Sequence, residues 1–139
     1  MSGFLRTVGA VTDTEIDTDT QSAARAFFDR YAAALLARDE KAIGGMYAVP
    51  SLIVAPGGSV PVTDAAQTEA FFAASWDQYE GVQEASPDVV VMARAPGTIW
   101  ADVTWSYGGR ARERFCYQLL SEGDGYRIVV LTPMELTPP

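Results

Sequence analysis

Between residues 22 and 38 apolar side chains return every three or four positions, at Ala23, Ala26, Phe27, Tyr31, Ala34 and Leu35, with no Gly or Pro among them. That spacing predicts an amphipathic helix with Thr20 or Ser22 as its N-cap. A tight turn at Arg38-Asp39 leads into a second, short helix over 40–47, weakened by Gly44-Gly45, and Pro50 excludes further helix. Residues 51–55 and 59–62 then read as two short strands around a Pro56-Gly57-Gly58 turn. Asp64 is a good cap for a third helix over 65–79, on which Phe71, Phe72, Ala74, Trp76 and Tyr79 make a broad apolar surface before Gly81 ends it.

After Pro87 the period changes from helical to two. Residues 88–94, 98–107, 110–121 and 126–131 read as strands, punctuated by Ala95-Pro96-Gly97, by Gly108-Gly109 and by Glu122-Gly123-Asp124-Gly125. Gly108-Gly109 predicts a two-residue hairpin turn with positive φ at both positions. Counting outward from Tyr107 opposite Arg110, this register places Trp105 opposite Arg112, Val103 opposite Arg114, Ala101 opposite Cys116 and Ile99 opposite Gln118 on one face. The other face then carries Trp100 opposite Tyr117, Asp102 opposite Phe115 and Thr104 opposite Glu113. Apolar residues on both faces predict a central hairpin in a sheet that is covered twice. The order helix, helix, short hairpin, helix, strand meander gives an α+β class, with the helices on one face of an antiparallel sheet.

At 139 residues and 48% hydrophobic the chain is sized for one domain with one core. We assign that domain to residues 21–133, between an acidic N-terminal arm over 1–20, read as mobile, and a C-terminal tail over 134–139. A net charge of −8 excludes a general binder of nucleic acid, which needs a basic surface. The single Cys116 excludes an intramolecular disulfide, and the absence of histidine removes common zinc sites and every Ser-His or Cys-His nucleophile. Asp13, Glu15, Asp17 and Asp19 have the alternate spacing that opens a calcium loop, but Thr18 stands where Gly is needed and Ala24 where the closing Glu belongs. Neither a metal nor a cofactor is expected. No apolar run reaches a membrane span and the N-terminus lacks a signal pattern, so the expectation is a cytoplasmic protein without a membrane partner.

The string FFDRYAAALLARDEKAIGGMYAVPSLIVAPGG and the later YGGRARERFCYQLL resemble the nuclear transport factor 2-like superfamily, including its SnoaL-like and ketosteroid-isomerase-like branches, over about residues 22–131. The resemblance implies a cystatin-like cone: a curved antiparallel sheet wrapped around three helices, with a pocket between them and an outer sheet surface often used for dimerisation. It implies an oxyanion-stabilising role for Tyr31. The general base of the isomerase branch would fall at Ala55, which takes no proton, and its second oxyanion donor at Gln118. The acid and histidine pairs of the cyclase and dehydratase branches are ruled out by the absence of histidine. A displaced carboxylate, Asp102 or Asp64, is the remaining candidate base.

If Gln118 faces the helices as the resemblance implies, the pocket wall runs from Ile99, Ala101, Val103, Cys116 and Gln118 to Trp105, Tyr107, Arg110, Arg112 and Arg114. Such a wall suits a small apolar or aromatic molecule with an anionic or carbonyl end near the arginines. Tyr31 and Gln118 would give neutral hydrogen bonds, with Trp76 and Tyr79 at the mouth. The plainer readings are cross-strand cation–π pairs of Trp105 with Arg112 and Tyr107 with Arg110, a core Tyr31, and Trp76 and Tyr79 packed under the sheet. The outer face, with Trp100, Phe115, Tyr117, Leu119 and Ile128, would be buried against a second copy as a homodimer. Three functions follow: a small-molecule binder, an isomerase, cyclase or hydratase-like enzyme with Tyr31 and Gln118 polarising a carbonyl, or a dimeric interaction module.

Overall fold

Helix α1 (Thr18–Leu36) begins at Thr18, inside the segment assigned to the arm, because Asp17 takes the N-cap. Its Oδ1 accepts from the Thr20 backbone N–H at 2.7 Å, and its Oδ2 lies 3.0 Å from Arg94 Nη1. The Thr20 amide and hydroxyl, with Arg94, hold the Asp17 carboxyl below its ordinary pKa. The computed structural model describes residues 17–123 and 125–136; Asp13 and Glu15 of the acidic run lie outside them. The helix turns Ala24, Phe27, Phe28, Tyr31, Ala32 and Leu35 inward, so Phe28 joins the core and Ala26 does not.

The short helix α2 (Glu40–Gly44) is capped by Asp39, and β1 (Tyr47–Ala55) starts where the sequence suggested that helix still ran. Strand β2 (Gly58–Val62) returns to α3 (Ala65–Ser75), where Asp64 and Gln67 form a reciprocal capping box. The last turn of the expected third helix tightens into a 3₁₀ turn, Trp76–Tyr79. Arg38, at φ 54°, sends its guanidinium to the carbonyls of Leu35, Leu36, Tyr79 and Val82, which ties that turn to the end of α1. Strands β3 (Ala85–Ala95), β4 (Thr98–Tyr107), β5 (Arg110–Glu122) and β6 (Gly125–Met134) complete one sheet in the order β2-β1-β6-β5-β4-β3. The sheet is mixed: β1 and β6 run parallel and the other neighbours antiparallel. Among the described residues no helix is long and apolar enough to cross a membrane.

The strands carry register shifts near Met92 in β3, Arg112 in β5 and Val129 in β6. An extra residue on one strand bends it and increases its twist, which curls the sheet around α1. The shift at Arg112 overturns the predicted register. Gly108 and Gly109 do turn with φ of 63° and 80°, and Tyr107 does face Arg110, but Ser106 pairs with Ala111 and Trp105 pairs with Glu113. Beyond that point every side chain of β5 changes face relative to β4. Val103 now opposes Phe115, Ala101 opposes Tyr117 and Ile99 opposes Leu119, all toward the helices. Asp102 opposes Cys116 and Trp100 opposes Gln118 on the outer face.

The expected outer patch is therefore corrected. Tyr117, Leu119 and Ile128 are core residues, and Phe115 packs against that core; of the anchors named, Trp100 alone stays outside. The outer face around it is mixed: Asp102 is paired to Arg114 and Gln118 bonded to Thr98, while Val90 and Met92 are exposed beside them. Inside, Phe28 sits 4.6 Å from Tyr117 between ring centroids and 6.4 Å from Trp105, so α1 and the central hairpin lock through aromatic contacts.

Gln21 covers the free edge of β3. Its Nε2 donates to Val89 O at 2.7 Å and its Oε1 accepts from Val91 N–H at 3.1 Å, which completes two strand groups that lack a neighbouring strand. We predict that Gln21→Ala lowers the unfolding free energy by about 2 kcal/mol, the cost of two lost bonds to a half-buried backbone. Ser22→Ala should change it by less than about 0.5 kcal/mol; urea unfolding of the two variants side by side is the check.

Candidate functional site

A cavity of about 310 Å³ lies between α1, α3 and the inner face of the sheet. Tyr31 and Leu35 come from α1, Phe71, Phe72 and Ser75 from α3, and Gln78 and Tyr79 from the 3₁₀ turn. The sheet contributes Tyr47, Ile53 and Val60 at one side and Trp105, Glu113, Phe115, Tyr117 and Leu131 at the other. Val60 and Phe71 are half or more exposed, so the mouth lies beside them. The wall is aromatic because inward positions of three strands, two helices and the 3₁₀ turn are filled by rings too rigid to collapse onto one another.

Three side-chain pairs stand out among its polar groups, beside Gln78 and the Ser75 hydroxyl, which donates to Phe71 O at 2.7 Å. Tyr31 Oη and Tyr47 Oη are 2.9 Å apart, and Trp105 Nε1 donates to Tyr117 Oη at 2.9 Å. Tyr107 Oη donates to Glu113 Oε2 at 2.7 Å, with the Tyr79 ring 5.7 Å from that of Tyr107. Burial is the leading reason that the phenols of Tyr31, Tyr47 and Tyr117 are raised well above their ordinary value. Tyr107 is raised by burial and then by its bond to the Glu113 carboxylate, and Tyr79 by burial and then by the Glu113 charge. The phenols are neutral donors throughout the working range of pH. Glu113 is the one carboxylate among the lining residues.

The predicted site residues divide. Tyr31 and Trp105 line the cavity, and Tyr107 reaches it through Glu113. Val103 is fully buried in the core but does not line the cavity; Trp76 stands behind the wall, packed 6.0 Å from Phe72 and donating to Glu40 Oε1 at 3.0 Å. Three expectations fail through the change of parity in β5. Gln118 lies on the outer face, where its Nε2 donates to Thr98 Oγ1 at 3.1 Å. Arg114 is also outside, held by Asp102 at 2.9 Å and 2.6 Å. Arg112 is the extra residue at the bulge, exposed beside an outer cleft.

The two displaced-base candidates are likewise occupied elsewhere, Asp102 by Arg114 and Asp64 as a helix cap. Cys116 is on the outer face, its thiol raised by burial and by Asp102, the opposite of activation. Sequence reasoning missed Glu113, Tyr47 and Tyr117. One signal could have found Glu113 and Tyr117: residues 113, 115, 117 and 119 are Glu, Phe, Tyr and Leu, whereas 112, 114, 116 and 118 are Arg, Arg, Cys and Gln. Only the first set can face a core without burying two cations.

A curved, open sheet wrapped about a long helix with an aromatic cavity between them defines a cone fold of the nuclear transport factor 2-like class. The chain belongs to the DUF6841 family of NTF2-like proteins, whose profile matches residues 19–136. Comparison with curated protein sequences gives no match. Among solved structures, Aln2 from a Streptomyces species superposes with a TM-score of 0.65 at 16% identity, over 85% of this chain and 91% of that one. A domain of unknown function with a cystatin-like fold from Nostoc punctiforme gives 0.63 at 16% identity, over 88% and 81%. A DUF3225 protein of unknown function from Pectobacterium atrosepticum gives 0.59 at 16% identity, over 86% and 94%. At such identities the likeness is one of fold.

The buried phenols give a prediction about pH. Unfolded tyrosines ionise near pH 10, whereas Tyr31, Tyr47 and Tyr117 hold their protons higher in the fold. Their contribution to stability is complete below about pH 10 and is lost as pH climbs through the folded values. Native protein at about pH 11 should therefore show phenolate absorbance well short of that in denaturant, and the remainder should appear together with loss of the near-ultraviolet circular dichroism. Full ionisation at that pH with the fold intact would contradict the burial.

Proposed function

We propose that the protein binds a small, flat, largely apolar molecule, best an aromatic one, in the cavity between helices and sheet. The observation that supports this is a void of about 310 Å³ walled by aromatic rings, within the range of small-molecule sites, holding few polar groups. The anionic end expected from the sequence has no support there, since no arginine lines the cavity and Glu113 does. A neutral ligand, or one with a donor at the Glu113 end, fits the electrostatics.

The test uses N-phenyl-1-naphthylamine, a neutral probe whose fluorescence rises in apolar surroundings. Wild-type protein should enhance it saturably, and Val60→Trp, which places an indole at the mouth without touching the core, should reduce the affinity at least roughly tenfold. Unchanged binding in Val60→Trp would place the probe elsewhere.

A second reading, an enzyme that moves a proton on a carbonyl compound, is favoured by one observation: Glu113 is a carboxylate facing the cavity. It predicts that the protein speeds exchange of the α-protons of 2-tetralone with deuterium oxide, followed by proton NMR. Glu113→Gln should remove the acceleration by about a hundredfold or more. Exchange no faster than in buffer leaves the binding reading alone.

A further inference from the structure

Arg38, at φ 54°, is the one residue other than glycine in the left-handed region among those described. It closes α1 in a Schellman turn: its own N–H donates to Leu35 O at 3.1 Å and the Asp39 N–H to Ala34 O at 3.0 Å. That position ordinarily belongs to glycine, because a side chain there crowds the backbone. An arginine held in such strain points to a use for its guanidinium. No carboxylate pairs with that guanidinium among the described residues. It donates instead to neutral carbonyls, those of Leu35 and Leu36 on its own helix and those of Tyr79 and Val82 across the gap.

Tyr79 and Val82 belong to a strap, residues 76–84, that joins α3 to β3. Its 3₁₀ turn contains no buried residue. Among the described residues, side-chain hydrogen bonds between the strap and the rest of the chain come from one place. They are those of Arg38 and that of Trp76 Nε1 to Glu40 Oε1 at 3.0 Å, with the Arg38 guanidinium 5.9 Å from the centre of the Trp76 ring. At the far end the Gly108 N–H donates to Glu84 O at 3.4 Å. On one side of the strap lies the inner cavity, and on the other an open cleft of about 570 Å³ lined by residues 80–83, Tyr107 and Arg112. Gln78 lines both. Tyr79, in the cavity wall, stands edge to face with Tyr107, in the cleft wall, at 5.7 Å, so at that point the partition is two rings.

We propose that the cavity has a second opening, into this cleft, and that Arg38 is the positioning residue that latches it. With the guanidinium on Tyr79 O and Val82 O, the strap holds the Tyr79 ring against Tyr107, and molecules pass by the mouth beside Val60 and Phe71. With those bonds broken the strap swings away from Tyr107, and cavity and cleft become one passage. The inference rests on the reading that the cavity binds an apolar molecule, and adds to it a second route and the residue that controls it.

Stopped-flow mixing with N-phenyl-1-naphthylamine tests it in the wild type, Arg38→Gly, Val60→Trp and the double variant. Glycine suits the left-handed position, so Arg38→Gly removes the latch and keeps the helix end; unchanged near-ultraviolet circular dichroism reports the fold. Association and dissociation should both quicken by about tenfold in Arg38→Gly, with the dissociation constant within about threefold, because a door lowers the barrier in both directions. Val60→Trp should slow association in the wild type and not in the Arg38→Gly background. Arg38→Lys keeps the charge without the fork that spans two carbonyls, so its rates should fall between, and it carries the test should the glycine variant misfold. Faster dissociation alone, with weaker binding, is what a merely loosened wall gives and would overturn the latch. Rates unmoved by both Arg38 variants would overturn it too while leaving the apolar site standing, whereas a probe that never binds the wild type would sink the site and the latch together.

Discussion

One residue too many in β5 for the length of β4 determines which half of that strand meets the helices. Arg112 has no partner across the ladder, so the strand beyond it is shifted by one and Glu113, Phe115, Tyr117 and Leu119 turn inward. The alternative would put Arg112, Arg114 and Gln118 against Phe28 and Tyr31. Full burial of each large apolar side chain is worth about 1.5–3 kcal/mol, while an unpaired buried cation costs more than that. The hairpin turn is content with either outcome, so the core decides and the bulge absorbs the difference.

The same bulges that settle parity also produce the curvature. Irregularities in β3, β5 and β6 bend the sheet around α1, and the aromatic side chains then pack edge to face instead of interleaving as aliphatic ones would. Where α1 lies close, beneath Val89, Val103 and Ala101, the space is filled. Beside α3 and the 3₁₀ turn the rings stand around the space without closing it. Arg38 fixes that turn through backbone carbonyls, so the wall carrying Tyr79 is anchored to the helix that carries Tyr31.

The chemistry of the cavity follows from burial. Phenols with raised pKa values are dependable donors and poor bases, and Glu113 is the one carboxylate among the residues that line the cavity. The arginines that would have made it an anion site are outside, one of them neutralised by Asp102. On the proposed binding reading, selectivity would come from shape and from the placement of a few neutral hydrogen bonds.

The order of elements, the helix faces, the Asp64 cap, the Gly108-Gly109 turn and the resemblance to the cone fold were legible in the amino-acid sequence because each depends on residues near one another in the chain. Helix boundaries slipped where a cap further out, Asp17, outcompeted Thr20 and Ser22. Of the site, Tyr31 and Trp105 were readable, since each sits on an element whose buried face is set by its own pattern. Tyr47 was missed because the second helix was read through to it. Glu113 and Tyr117 were missed because counting from the turn hides an inserted residue in a strand with apolar groups on both faces, with only the charges at 112 and 114 arguing against that count. Tertiary structure made that choice, because only the assembled core weighs which set of β5 side chains can leave water.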